Sequence, residues 1–343
     1  MNLKKNCLIL SFLIYAVSFL FAKSSPKTPE WVLNYQKEFP DSKYIAQKGT
    51  GKKAEDSKNE AASNLSFYFE TTVNSRRETN YKSLETEEKN RHKIKTEQET
   101  IRETQMTTST VLNAVEFTEP WYNKKDKTWH CVAYVERKTV WEKYEPTLRA
   151  SKDTFMAFYI KAQECSDYFG KIRYLGQARK LGEDFLDKIS YAQFLSEPLT
   201  DSHYKNDLQI FSSLSSLQQE EKNKSSLFVE VSNDSGNLVY SALLKALTDS
   251  GFTVIKNKVE AAYAVNASVL FDSYKDGDLL VYSPSVQISI YGKDSSVYSY
   301  SKECKKIKAY TENVGERKSL EVISKVVEDA FYDDFNSALS GTK

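Results

Sequence analysis

The stretch Tyr44 to Leu65 reads YIAQKGTGKKAEDSKNEAASNL, and the fold of the first third of the chain turns on its glycine pair. Gly49-Thr50-Gly51-Lys52-Lys53 has the look of a loop that cradles a phosphate. A P-loop, however, sets its first glycine far enough from its Gly-Lys-Ser/Thr end for the backbone to wrap the phosphates, and its hydroxyl must reach magnesium. Here one residue separates the glycines, and Lys53 stands where the hydroxyl belongs. No third glycine follows at the step a dinucleotide site needs. The same residues make a strand-to-helix corner instead: a strand from Tyr44 to Gln47, a tight reversal at Gly49 and Gly51 through positive φ, and a helix from Ala54. Ala54, Ala61, Leu65, Tyr68 (or Phe69) and Val73 fall on one face of that helix, which packs back onto a sheet.

Upstream, a polar tether from Lys23 to Pro29 leads to Trp31 and Val32, where the folded region opens. Downstream, Arg76 to Glu103 mixes charges with few large apolar residues. It fits a long solvated hairpin or mobile loop better than an exposed helix, because the next segment is extended. Thr107 to Phe117 is rich in Thr and Val, as strands are. From Thr128 to Val140 the chain alternates, with Trp129, Cys131, Ala133 and Val135 on one face and His130, Val132, Tyr134 and Glu136 on the other.

From Thr147 to Gln219 the apolar period changes. Phe155, Tyr159 and Ala162, then Leu175, Ala178, Leu181, Phe185 and Ile189, recur at helical steps, giving an antiparallel helical pair with room for a third helix from Asp207 to Glu221. Leu227 to Ser232 is a strand. Asn233-Asp234-Ser235 offers a cap to a helix carrying Leu238, Val239, Ala242, Leu243, Ala246 and Leu247, and Gly251 stands where a left-handed residue ends it. Phe252 to Ile255 resumes as a strand, Tyr263 to Phe271 and Val286 to Ile290 alternate, and Ser296 to Tyr310 gives one more long strand. A helix with Leu320, Ile323, Val327, Ala330 and Phe331 closes the chain. The expected fold class is α+β: two small strand-helix-strand sheet domains, 23–145 and 223–343, joined by a helical hairpin or connector over 146–222, after a signal peptide over 1–22.

The first domain resembles a known family. PEWV at Pro29 to Val32, KYIAQKGTG at Lys43 to Gly51, the alanine-lined helix, and EFTEPWYNKKDKTWHCVAYVER at Glu116 to Arg137 carry the likeness. Together they resemble the LPP-type twenty-kilodalton lipoprotein family and are similar to the N-terminal domain of the flagellar outer-membrane protein FlgT. The resemblance implies one small envelope domain. Members of that family often carry a lipid-modified cysteine just after the signal, and this chain has none there. The second sheet domain, with GFTVIKNKVEAAYAVNASVLF at Gly251 to Phe271, is similar in layout to modules of periplasmic assembly proteins such as the N-terminal domain of TolB and curli-type secretion lipoproteins.

The N-terminus supports export independently. Lys4 and Lys5 precede the apolar run CLILSFLIYAVSFLFA from Cys7 to Ala22, and a small residue ends it, as in a signal cut near Ala22. A retained membrane anchor is the alternative, although the run is short for a span of about 20 residues. Cys7 lies at the wrong end for lipid attachment. Loss of Lys4 and Lys5 reduces the 48 basic residues to 46, against 47 acidic ones, and so balanced a chain is not a general nucleic-acid binder. Cys131, Cys165 and Cys304 remain, too few for a disulfide framework. The expected location is periplasmic or outer-membrane-associated in a bacterium, with peripheral membrane association left open.

The residues offer no catalytic constellation. His92, His130 and His203 lie far apart, without metal-ligand spacing, so neither a metal nor a cofactor is implied. There is no Gly-x-Ser-x-Gly. Neighbouring acids such as Asp333-Asp334 and Glu220-Glu221 do not face each other on a helix, as a paired acid and base must. The expected protein is therefore not an enzyme; it acts through protein–protein contacts in an envelope or flagellar assembly. A binding module for a small envelope ligand such as a peptidoglycan fragment is the alternative. The candidate interaction surface is Trp31, Trp121, Trp129, Tyr134, Tyr298 and Tyr300, with core packing as the competing role for the tryptophans. Tyr298 and Tyr300 alternate with serines on an edge strand that another protein's strand could join.

Overall fold

The computed structural model describes residues 28–85, 114–293 and 295–341. The segment expected to be a signal, most of the charged run from Arg76 to Glu103 and the start of the strand expected from Thr107 to Phe117 lie outside them. The described residues fall into two compact units, 28–74 with 114–143 and 75–85 with 144–341. Helices and sheets occur in both, so the α+β class holds. No helix among the described residues is long and apolar enough to cross a membrane.

In the first unit two single-turn helices, α1 (Glu30–Leu33) and α2 (Tyr35–Glu38), precede β1 (Tyr44–Gly51) and the long helix α3 (Ala54–Glu85). Three strands follow: β2 (Glu116–Phe117), β3 (Trp121–Asn123) and β4 (Thr128–Glu136). The central strand is β4, which pairs antiparallel with β1, β2 and β3. The alternation read from the sequence is the one the sheet uses. Ile45, Cys131, Ala133 and Val135 on one face are buried, as are Ala61, Leu65, Phe69 and Val73 on α3. Ala46 and Val132 on the other face pack with Trp31 and Phe39.

The glycine corner needs correction. β1 does not stop at Gln47 but runs on through Gly51, with Gly49 opposite Cys131 and Gly51 opposite Trp129. Neither glycine has positive φ; the glycines that do are Gly251, Gly277 and Gly341. What Gly49 supplies is an absent side chain. A Cβ there would lie 2.2 Å from the Ala61 nitrogen and 2.3 Å from the Ser57 carbonyl oxygen, so the backbone of α3 rests directly on the strand. The same helix closes the outer edge of β1. The Thr50 N–H donates to Glu60 Oε2 (2.5 Å), and Asn64 Nδ2 donates to the Lys48 carbonyl (2.9 Å).

The start of the charged run is also corrected: through Glu85 it continues α3. Arg77 and Asp187 form an ion pair at 2.7 Å with both side chains largely buried, and Asn80 donates to Ser190 Oγ at 2.8 Å. Beyond Val73 the polar residues of α3 find partners remote in sequence, and no apolar stripe announces that part of the helix.

The strand expected to reach Val140 ends at Glu136, and α4 (Arg137–Glu164) begins at once. Its buried Val140, Trp141, Tyr144 and Leu148 follow helical spacing. Next, α5 (Tyr168–Lys224) is two helical arms folded at Ser196, whose φ of −157° and ψ of 98° leave the helix, with Pro198 opening the second arm. Gly182 abuts the Phe211 ring and Gly176 the Gln218 side chain, so the arms run back along each other. Phe155 of α4 touches Phe185 and Phe211, one on each arm. The helical pair with its third helix is thus a three-helix arrangement.

Here Glu145 of α4 accepts hydrogen bonds from the Tyr204 hydroxyl (2.6 Å) and from Arg149 (2.7 Å). Burial pushes its carboxyl up, but these two donors outweigh burial and hold it below the usual 4.5. A depressed folded value means stability that is complete above the unfolded value and is lost as pH falls through the folded one. Glu145→Gln should therefore lower stability at neutral pH and make the acid limb below about pH 5 shallower than in the wild type. Urea midpoints measured across pH 3 to 7 check this, and an unchanged acid limb would refute it.

The second unit's sheet contains β5 (Leu227–Ser232), β6 (Tyr263–Asp276), β7 (Leu279–Tyr291) and β8 (Ser296–Glu303) in that order, with β9 (Ile307–Ala309) also on β7. β5 and β6 are parallel, linked through α6 (Leu238–Asp249); the other pairings are antiparallel. Asp234 receives the Leu238 and Tyr240 N–H groups at the start of α6, and Gly251 ends it at φ +87°, as expected. Phe252 to Ile255 is not a strand: only Val254 bridges Leu227, while Phe252 enters the core. The single strand expected from Ser296 to Tyr310 is broken at Cys304. The Cys304 N–H donates to the Pro284 carbonyl (2.8 Å), and Pro284 has no N–H to return, so the ladder lapses there.

The closing helix is α7 (Glu312–Val326), a π turn (Val327–Phe331) and α8 (Tyr332–Leu339). Its buried residues Ile323, Val327, Phe331, Phe335 and Leu339 stand four apart. An α-helix advances 3.6 residues per turn, so such a row drifts off its face. The wider π turn absorbs the drift and keeps the row on the sheet. Phe169 and Ile172 of α5 join this core.

Candidate functional site

The proposed aromatic residues separate into three settings. Trp31 is 6% exposed and packs with Phe39, Ala46 and Val132; Trp121 and Tyr134 lie partly buried against the same cluster. The Phe39 and Tyr134 ring centroids are 4.4 Å apart, and Tyr44 meets both edge-on. The Tyr134 hydroxyl donates to Glu116 Oε2 at 2.9 Å, and burial, reinforced by that carboxylate, pushes the phenol up to about 12. Trp129 is on the opposite face of β4, against Tyr122 at 5.3 Å, and is not brought to the cluster. This set is mostly a small core with a partly wetted rim.

Tyr298 and Tyr300 belong to the other unit, on β8, and their side chains point inward. The Tyr298 ring packs edge-on to Phe331 and Phe335, its hydroxyl donating to Asp334 Oδ1 at 2.7 Å; the Tyr300 ring meets Phe331 at 5.5 Å. Burial pushes both phenols up, so neither ionises near neutral pH. What β8 turns outward is its backbone. In an antiparallel pair alternate residues exchange both their bonds with the neighbour, and the intervening residues point away. Cys304 bonds Pro284, which puts Tyr298, Tyr300 and Lys302 toward β7 and leaves the N–H and C=O groups of Ser299, Ser301 and Glu303 facing out; a bulge at Val297, where the β7 pairing shifts register, ends this regular stretch. Among the described residues no group meets that edge. Of the other edge strands, β1 is closed by Glu60 and Asn64, and β5 is tied at Leu227 by Thr253 and Ile255.

The helices of the second unit cover one face of its sheet. Asn266, Gln287 and Ser299 on the other face are exposed, in a cross-strand pattern that also includes Ser268, Ser289 and Ser301. Burial pushes the Cys131 and Cys304 thiols up, away from thiolate chemistry. Among the described residues no group of His, Cys, Asp and Glu has the arrangement to hold a metal. A small open hollow beside α6 and the π turn is lined by Lys245, Asp249, Glu328, Asp329 and Tyr332.

No family model matches the chain, and no curated protein matches it. Solved structures do resemble it. The secreted protein HP1454 from Helicobacter pylori is 14% identical, with a TM-score of 0.33 over 83% of this chain and 96% of that one. A minor lipoprotein from Acinetobacter baumannii is 14% identical, at 0.24 over 34% of this chain and 94% of its own. Lipoprotein GNA1162 from Neisseria meningitidis is 13% identical, at 0.23 over 33% and 99%. These neighbours are bacterial secreted proteins and lipoproteins.

The sequence placed tyrosines and serines alternately on an edge strand, but it did not tell which set faces the core. It also missed the outward ladder itself, because hydrogen-bond direction leaves no mark on side-chain identity. The one available signal was Pro284, which ends the β8 pairing and fixes its phase.

Proposed function

We propose that this chain is an exported, non-enzymatic protein of the bacterial envelope that acts through protein–protein contacts, with β8 as its docking edge. The observation that carries this is the outward-facing ladder of Ser299, Ser301 and Glu303 on a strand held rigid by Tyr298 and Tyr300 in the core. An exposed edge with unpaired backbone groups is a template for another strand. Support for export comes from the sequence, in the basic start and apolar run up to Ala22. The resemblance of the first unit to the LPP-type lipoprotein family and to the FlgT N-terminal domain supports a narrower role in flagellar or envelope assembly.

Crosslinking of intact envelope followed by capture of the protein is the test, set beside retention on purified cell wall. Recovery of a stable envelope protein that is lost when β8 is altered is the expected result. Stoichiometric retention on cell wall with no protein recovered would overturn it and favour a peptidoglycan-fragment ligand. Normal motility of a deletion strain would remove the flagellar version alone.

A further inference from the structure

We infer that β8 is the seam at which two copies of this chain pair, antiparallel about a two-fold axis at Tyr300, so that their sheets become continuous. The inference rests on β8 being the docking edge proposed above and names the occupant as a second copy. Hydrogen-bond phase restricts the register. Outward groups must meet outward groups, so Ser299, Ser301 and Glu303 of one copy face the same set in the other. Centring on Tyr300 pairs Ser299 with Ser301 on both sides of the axis, at the middle of the regular stretch between the bulge at Val297 and the break at Cys304. Centring nearer the start of β8 sends Glu303 toward the β7–β8 turn, where the Ser295 carbonyl already accepts from the Gly292 N–H.

Side-chain charge agrees with the same register. Lys302 of one copy comes beside Tyr298 of the other, whose hydroxyl is bonded to the Asp334 carboxylate. A cation is thus brought to an anion and an aromatic ring. The two Glu303 residues sit at opposite ends of the seam, so like charges are not opposed. Serine meets serine on the open face. From Ser296 to Ser301 the strand holds neither a proline nor a charge, the residues that guard an edge against pairing.

Sedimentation velocity of the purified protein from low to high micromolar concentration tests the inference. The expected result is a mass that rises to double. Ser299→Pro removes an outward N–H without touching the β7 ladder, a position where edge strands accept proline. It should leave the protein monomeric with the wild-type melting temperature. Should that variant misfold, Ser299→Lys with Ser301→Lys sets ammonium against ammonium across the seam from the open face and should also give monomer. For the register, a mixture of Ser299→Cys and Ser301→Cys chains should form a disulfide-linked dimer on oxidation, which Ser299→Cys alone should not. A wild type that stays monomeric throughout, or lysine variants that still dimerise, would overturn the inference. Equal crosslinking by Ser299→Cys alone would overturn its register. A monomer that still captures an envelope protein through β8 would leave the docking proposal standing and remove only the second copy.

Discussion

Gly49→Val should cost about 3 kcal/mol or more of folding stability, at the upper end of overpacking penalties. The new Cβ would fall 2.2 Å from the Ala61 nitrogen and 2.3 Å from the Ser57 oxygen. Both are backbone atoms of α3, and the nearer, at Ala61, lies two turns into the helix, where it cannot swing away as a side chain can. The strand is equally held, paired along its length with β4. Gly51→Val should cost less, since its nearest atoms belong to Asp56 and Ser57 in the first turn of the helix, where fraying gives relief. Urea titration reads the loss as a lower midpoint at unchanged slope. Gly49→Asn distinguishes the two accounts of this glycine. Asparagine tolerates left-handed backbone, so a reversal through positive φ would accept it, whereas close approach rejects it as it rejects alanine. Wild-type stability in Gly49→Asn would therefore sink the close-approach account.

Phe335→Ala should cost about 3 to 5 kcal/mol, the range for a buried aromatic ring. Phe335 is fully buried, and its ring lies 5.1 Å from Tyr298, 5.5 Å from Phe331, 5.6 Å from Phe252 and 6.3 Å from Phe169. Those neighbours come from β8, the π turn, the segment after α6 and the first arm of α5. Removing the ring opens a void where all four meet, and rigid surroundings collapse only in part. The variant should also loosen Tyr298, which can be seen in the near-ultraviolet circular dichroism. Leu33→Ala, at a residue 75% exposed, is the control and should change stability by less than about 0.5 kcal/mol. A loss below about 1 kcal/mol for Phe335→Ala would refute this account of the core.

Most elements were legible because their signals are local. β4 declared both faces by alternation, β5 its limits by flanking polar residues, and α6 its end by Gly251. Failures came where the deciding contact is distant. Arg77 and Asn80 looked like solvated loop residues until α5 supplied Asp187 and Ser190. The expected strand at Phe252 was a ring seeking the aromatic core. The aromatic surface was half legible: Tyr298 and Tyr300 were on an edge strand as read, but with their rings inward.

The sequence by itself determined the α+β class, the export-like start, the balanced charge and the periods of its helices and strands. These follow from backbone geometry and side-chain polarity, which act within a few residues. Only the tertiary structure decided why Gly49 is glycine, what Arg77 is paired with and which edge strand is left open. Each depends on where a second segment comes to lie, and the strand that needs a bare α-carbon carries no local mark of the helix that will rest on it.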